Sequence, residues 1–206
     1  MPDAEAIRFD DHGLVPCVAQ DASTGEILTL AYMNADALQL TRDTREVHFW
    51  SRSRQELWRK GETSGNVLRL RELRFDCDVD ALVALVEPSG PVCHTGARSC
   101  FYREYEGGQA PGPAPHEALV ALERTLRDRE ARRPEGSYTV ELLDDQELVA
   151  AKVTEEAEEV IRAAREESGE RVASEAADLL YHLMALLRSR DVPLGAVLET
   201  LNDRRR

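Results

Sequence analysis

A chain of 206 residues is long enough for one large domain or for two small ones that each bury a core of their own. Its formal net charge of -13 argues against nucleic acid and anionic membranes as partners. Spanning-length apolar runs are absent and Met1-Pro2-Asp3-Ala4-Glu5 has neither the basic nor the apolar region of a secretory signal, so a cytoplasmic protein is expected.

Residues 7–50 read as short strands with one helix. Leu14 to Gln20 and Ile27 to Tyr32 are β-prone, and Asp21 to Gly25 between them has hairpin turn chemistry. Asn34 predicts an N-cap for a short helix over 35–41. Cys17 lies inside an apolar strand and reads as core rather than ligand. Residues 47–54 and 57–66 then gather basic, hydroxyl, aromatic and glycine residues, among them Arg52, Lys60 and Ser64. Glycine lets backbone amides approach an anion, hydroxyls donate to phosphate oxygens, and Arg or Lys supplies charge. A small phosphate-rich ligand fits this pattern, and so does a polar hairpin with tryptophans in the core. Residues 67–75 set Val67, Arg69 and Arg71 against Leu68, Leu70 and Leu73, which predicts a half-buried strand; 79–86 predicts another, cut short by Pro88 and Gly90.

Three of the four cysteines and an acidic triplet fall within 25 residues: Asp76-Cys77-Asp78-Val79-Asp80, then Cys93-His94-Thr95-Gly96-Ala97-Arg98-Ser99-Cys100. Thiolates suit zinc and carboxylates suit a hard ion, so two different metals are compatible with the stretch. If Asp76 to Asp80 stay extended, the three carboxylates share one face and Cys77 points to the other, whereas a bulge or strand end would bring the two sets together. Four cysteines are few for a disulfide framework. Spacing leaves catalytic and structural zinc equally open, since His94 or Cys17 can supply a closing ligand, and the aspartates alone also fit a solvated strand edge.

Glu106 to Pro115 is dense in Gly and Pro without apolar periodicity, which predicts domains over 1–105 and 116–206 joined by a linker over 106–115. Beyond it the apolar period changes to that of helices. Leu119, Leu122 and Leu126 mark the first; a break follows at 136–140; further helices are predicted over 146–165 and 171–188, and a short one from Pro193 to Asn202. In the third, Ala173, Ala176, Leu180, Leu183 and Leu187 are expected to face inward, in a small helical bundle. Glu155, Glu156 and Glu159 occupy about a third of one helix's circumference, and Glu175 and Asp178 are one turn apart on the next, with His182 a turn further on. Packed antiparallel, these helices converge carboxylates that repel unless a divalent cation lies between them; an acidic solvent face is the plainer alternative. Only two lysines occur, Lys60 and Lys152, and each falls in a candidate site.

The motifs at 76–80, 93–102, 48–54 and 57–66 closely resemble phosphoribosyl-AMP cyclohydrolase. The second half, with Lys152-Val-Thr-Glu-Glu-Ala-Glu-Glu-Val160 and Ser174-Glu-Ala-Ala-Asp-Leu-Leu-Tyr-His182, resembles phosphoribosyl-ATP pyrophosphohydrolase of the all-α, MazG-like group. Together they follow the order of the bifunctional enzymes of histidine biosynthesis. The resemblance implies an α+β, strand-rich N-terminal domain and an all-α MazG-like C-terminal domain. It implies release of pyrophosphate from phosphoribosyl-ATP, then opening of the adenine ring of phosphoribosyl-AMP at the N1–C6 bond. It further implies Zn2+ on Cys77, Cys93 and Cys100, shared across a homodimer, and Mg2+ on Asp76, Asp78 and Asp80. A second Mg2+ site would use Glu155, Glu156, Glu159, Glu175 and Asp178. His94 is then the candidate for proton transfer, Lys60 a catalytic and phosphate-binding candidate, and Arg52, Ser64 and Lys152 candidates for substrate binding. A structural zinc module joined to a helical dimerisation domain, and a helical domain that is a general nucleotide pyrophosphatase, are the competing readings.

Overall fold

The computed structural model describes residues 7–105 and 114–205; most of the predicted linker, 106–113, lies outside the described residues. The chain divides into two compact units, Met1–Gly112 and Pro113–Arg206.

In the first unit strand β1 (Val15–Asp21) buries every second residue, as a strand with one face on a core must. It is central. β2 (Ile27–Met33) pairs with it antiparallel and β6 (Leu82–Pro88) parallel. β3 (His48–Ser51), β4 (Glu56–Arg59) and β5 (Leu68–Phe75) complete a sheet of order β4-β3-β2-β1-β6-β5. The β1–β2 turn is held by Asp21 Oδ1, which accepts from the backbone N–H of Ser23 at 2.9 Å and of Thr24 at 3.2 Å. Helix α1 (Ala35–Thr44) starts where predicted, with Asn34 accepting from Ala37 N–H at 2.8 Å, and runs a turn further than expected. A register shift between Leu70 and Glu72 explains the uneven spacing of Leu68, Leu70 and Leu73, because the bulge returns Leu73 to the inner side. Val15, Cys17, Leu28, Phe49, Leu68 and Val86 are fully buried in the core, each large side chain contributing about 1.5–3 kcal/mol.

β5 ends at Phe75, so the aspartate run is not extended. Asp76 Oδ1 instead accepts from Asp80 N–H at 3.0 Å and Ala81 N–H at 3.2 Å, closing a turn in which Val79 takes φ 62°. That turn, rather than strand alternation, gathers the three carboxylates.

The second unit opens with a single 3-10 turn, Pro115–Glu117, and then holds α2 (Ala118–Arg132), α3 (Tyr138–Asp144), α4 (Gln146–Glu166), α5 (Gly169–Ser189) and α6 (Leu194–Asp203). The predicted break at 136–140 contains the start of α3. Seven residues are too few for periodicity to register, and Asp145 both ends α3 and caps α4 by accepting from Leu148 N–H at 2.9 Å. Only Glu167 and Ser168 separate α4 from α5, so the two fold back as an antiparallel pair. Leu126, Leu142, Val149, Met184 and Ala185 form the core.

The expected inward stripe of α5 is corrected. Ala173 is exposed, as are Leu180 (42 %) and Leu183 (37 %), and the buried positions are Glu175, His182, Met184 and Ala185. The acidic face of α5 packs on α4, which leaves the apolar stripe on the outside of the single chain.

Candidate active sites

In the first unit, residues 91–100 form a loop folded on itself and stitched to β2. Val92 N–H donates to the Arg98 carbonyl at 3.0 Å and Cys93 N–H to the Ala97 carbonyl at 2.9 Å. Cys100 N–H donates to the Leu28 carbonyl at 2.8 Å and Ser99 Oγ to that of Ile27 at 2.7 Å. These bonds hold Cys93 and Cys100 near enough for each thiol to influence the other. Thr95 Oγ1 donates to Cys93 Sγ at 3.1 Å and draws its pKa down, helped by Cys100 and Lys60, whereas burial pushes that of Cys100 up. His94 Nδ1 lies 3.9 Å from Cys93 Sγ.

Lys60 donates to the Val92 carbonyl and lines, with Ser64, Asn66, Cys93 and His94, a cleft of ≈ 320 Å³. Gly61 turns its wall: at φ 88° a Cβ would sit 2.4 Å from the Asn66 carbonyl. Lys60, Ser64, His94 and Cys93 are thus brought together. Arg52 lines an adjacent cleft instead.

Cys77 is exposed on the 76–81 turn, and within one chain the sulfurs of Cys77, Cys93 and Cys100 do not all lie within 4.8 Å of one another. Asp76, Asp78 and Asp80 do converge, each offering an oxygen within 4.8 Å of the others. Desolvation works against the Asp76 carboxylate, but the N–H groups of Ala81 and Asp80 outweigh it and hold its pKa below the ordinary range. Arg8 lies 3.5 Å from Asp78 and 3.4 Å from Asp80, where it balances charge from solvent.

In the second unit Glu156 (8 % exposed) on α4 meets Glu175 (3 %) and Asp178 on α5, again with oxygens within 4.8 Å. A buried carboxylate pair of this kind is unstable without compensation. Arg171 forms an ion pair with Glu175 Oε1, yet that buried oxygen has no hydrogen bond. Burial raises the Glu175 pKa; Arg171 opposes it, and Glu159 and Asp178 add to it. Three converging carboxylates with one oxygen lacking a hydrogen bond are what a hard divalent cation takes as ligands, so the residues fit such an ion. Glu159 is half-buried beside Glu175 and paired with Arg162 at 3.0 Å; Glu155 is exposed and paired with Lys152 at 2.8 Å.

Side chains that spacing did not single out complete both sites. Thr95 and Arg98 stand between the cysteines, and Asp21, which anchors Arg98, is 77 positions away. Tyr138 lies on α3, the helix the periodicity missed, and reaches His182 beside the acidic trio. His182 sits one turn beyond Asp178, which was the only sequence signal for it.

The family model of phosphoribosyl-AMP cyclohydrolase matches residues 29–102, and that of phosphoribosyl-ATP pyrophosphohydrolase matches residues 119–205. The chain is 49 % identical over 205 residues to the histidine biosynthesis bifunctional protein HisIE of Bacillus subtilis, covering 99 % of this chain and 97 % of that protein. It is 45 % identical to the protein of that name from Synechocystis, over 98 % of this chain and 94 % of the relative. For that of Thermus thermophilus the identity is 46 %, over 99 % and 94 %. A strand-rich unit with paired thiols followed by a helical unit with buried acids is the arrangement of a two-domain hydrolase. The chain belongs to the histidine biosynthesis bifunctional protein HisIE family, with its cyclohydrolase domain first and its pyrophosphohydrolase domain second. Among the described residues no helix is long and apolar enough to cross a membrane.

Proposed function

We propose that the helical domain hydrolyses phosphoribosyl-ATP between its α and β phosphates and that the strand-rich domain then opens the product, phosphoribosyl-AMP. In the second step water's oxygen bonds to C6, the N1–C6 bond breaks, and N1 takes a proton. The observation that carries this reading is the pairing of two chemically different donor sets, neighbouring thiols and buried carboxylates, with two domains whose families catalyse consecutive reactions, the C-terminal domain acting first.

The residues assigned to Zn2+ are Cys77, Cys93 and Cys100. Those assigned to Mg2+ are Asp76, Asp78 and Asp80 in the first domain and Glu156, Glu175 and Asp178 with Glu155 and Glu159 in the second. When bound, such ions supply Lewis-acid activation of water and neutralise phosphate charge. His94, beside Cys93, moves the proton; Lys60, Ser64 and Arg52 take the phosphates of phosphoribosyl-AMP; Lys152 faces the polyphosphate of phosphoribosyl-ATP. The domains, 1–105 and 116–206, act independently across the 106–115 linker.

Two features support a homodimer. Cys77 is exposed and does not form a tight trio with the other two thiols within one chain, so a second copy can complete the set. Leu180, Leu183, Ile161, Leu198 and Leu201 present apolar surface that a second helical domain can cover. All four cysteines are free, as suits the reducing cytoplasm in which we place the enzyme.

Purified protein supplied with phosphoribosyl-ATP tests the reading. Pyrophosphate release followed by the absorbance change of ring opening is expected. Cys93→Ala should abolish the second signal only; the double substitution Glu175→Ala with Asp178→Ala should silence both on phosphoribosyl-ATP, since no phosphoribosyl-AMP then forms, yet still open the ring of phosphoribosyl-AMP supplied directly. Equal loss of both activities in either variant, each assayed on its own substrate, would refute independent domains. Equal release of pyrophosphate from ordinary nucleoside triphosphates would instead make the helical half a general pyrophosphatase.

A further inference from the structure

The cleft that holds Cys93, His94 and Lys60 shares two walls, Arg54 and Trp58, with a second cleft of ≈ 330 Å³. Strand pairing builds the second one: Tyr32 on β2 and Trp50 on β3 are cross-strand partners, so their rings line the same face. The carbon of the Arg52 guanidinium stands 3.9 Å from the Tyr32 ring centroid. Stacking of that kind fixes a flexible cation in direction while leaving its N–H edge free to donate. Among the described residues no carboxylate pairs with Arg52. A charged fork held by an aromatic ring and left without a counter-ion suits an anionic ligand that also carries a flat or sugar-like body.

Taken with the function proposed above, on which this step rests, the reactant supplies such a ligand. Phosphoribosyl-AMP carries one phosphate on the ribose at N1 and another on the ribose at N9, on opposite sides of the purine. A single basic patch cannot hold both while the ring lies between them. The bond that breaks joins N1 to C6, so the N1 arm belongs in the cleft with the thiols, where Lys60 and Ser64 stand. We propose that the second cleft is a separate subsite for the AMP arm, in which Arg52 binds the 5′-phosphate and Tyr32 and Trp50 pack against its ribose. The shared walls let one molecule occupy both clefts, and the two anchors set the purine across Trp58. The subsite orients the ring and takes no part in bond making.

Arg52→Gln in the full chain tests this, with phosphoribosyl-AMP as substrate and AMP and ribose 5-phosphate as competing inhibitors. The expected result is a rise in KM of about tenfold or more, the loss of a charge-assisted contact, with kcat within about twofold of the parent. Inhibition by AMP should weaken to a similar degree, while inhibition by ribose 5-phosphate, which occupies the other cleft, persists. Lys60→Gln should reverse the pattern between the inhibitors. A parental KM in Arg52→Gln, or equal weakening of both inhibitors, would overturn the subsite. A fall in kcat at unchanged KM would overturn it too, because Arg52 would then act on the reacting bond. If the parent enzyme does not open the ring at all, the underlying function fails and the subsite with it; an active parent beside an unaffected variant removes the subsite alone. Thermal unfolding of each variant separates these results from misfolding.

Discussion

The Tyr138 hydroxyl lies 3.1 Å from Nε2 of His182, whose Nδ1 lies 2.9 Å from the Asp178 carbonyl and 3.5 Å from Glu156 Oε1. A carbonyl only accepts, so in the neutral ring Nδ1 carries the proton and Nε2 accepts from Tyr138. One buried imidazole thereby ties α3 to the carboxylate-bearing faces of α4 and α5. Tyr138→Phe should lower kcat/KM for pyrophosphate release by roughly three- to tenfold, the size of one neutral hydrogen bond. His182→Asn should cost more, because it also disturbs Glu156. In the double variant the tyrosine change should then add almost nothing, since its partner is gone. Additive losses would show that the two residues act separately.

Glu175 is buried against other acids, and its compensation by Arg171 is incomplete. Glu175→Gln removes the repelling charge and keeps the shape. In the presence of chelator the variant should therefore melt no lower than the parent. Manganese(II) at about a hundredfold excess over its Kd should stabilise the parent's helical domain by about 2.7 kcal/mol, on the order of 10 °C in a domain of this size. In the variant that rise should fall by more than half. An undiminished metal-induced shift, read by calorimetry, would mean that Glu175 is not a ligand.

Much of this was readable from residue types in order, because each feature was local. The Asn34 cap, the alternation of 67–75 and the long helices over 146–165 and 171–188 need only their own neighbours. The conformation of Asp76–Asp80 stayed open between an extended run and a strand end, because alternation holds only for an extended chain and the side-chain bond from Asp76 that competes with strand continuation leaves no mark in spacing. The face of α5 was misassigned for a different reason. Hydrophobicity marks what is buried somewhere, and here the single chain buries Glu175 and His182 while leaving Leu180 and Leu183 outside. The contact of Arg98 with Asp21 spans 77 positions and no pattern of spacing encodes it.

Arg98 forms ion pairs with the buried Asp21 and with Glu26, fixing the Cys93–Cys100 loop to the β1–β2 hairpin. The other Asp21 oxygen is already taken by Ser23 and Thr24, so no local donor can replace the guanidinium. Arg98→Lys can serve one carboxylate but not both. A loss of about 2–3 kcal/mol is expected, below the full cost of breaking a buried pair because Arg98 is partly exposed. The loop should loosen before the sheet does. Peptide mapping after brief alkylation should find Cys93 and Cys100 labelled faster than in the parent. Parental labelling rates together with parental stability would dismiss the clamp.

Cys17 offers a test of the core that is independent of either site. It is fully buried in β1, and burial pushes its thiol up to about 12 against an ordinary 9.0, a hydrogen bond with the Ala84 backbone opposing in part. Near neutral pH it should resist alkylation until the protein unfolds. Above the ordinary value the unfolded thiol ionises while the folded one keeps its proton, so the unfolded state binds fewer protons and stability falls as pH rises from 9.0 towards 12. By about pH 10 this thiol alone should have cost the parent on the order of 1 kcal/mol. Cys17→Ala removes that dependence at the expense of a small cavity, worth about 1 kcal/mol. Denaturant unfolding should accordingly find the variant weaker than the parent near pH 7 and close to it near pH 10. A gap of constant size at both pH values would mean that the Cys17 proton is shared with solvent in the folded sheet.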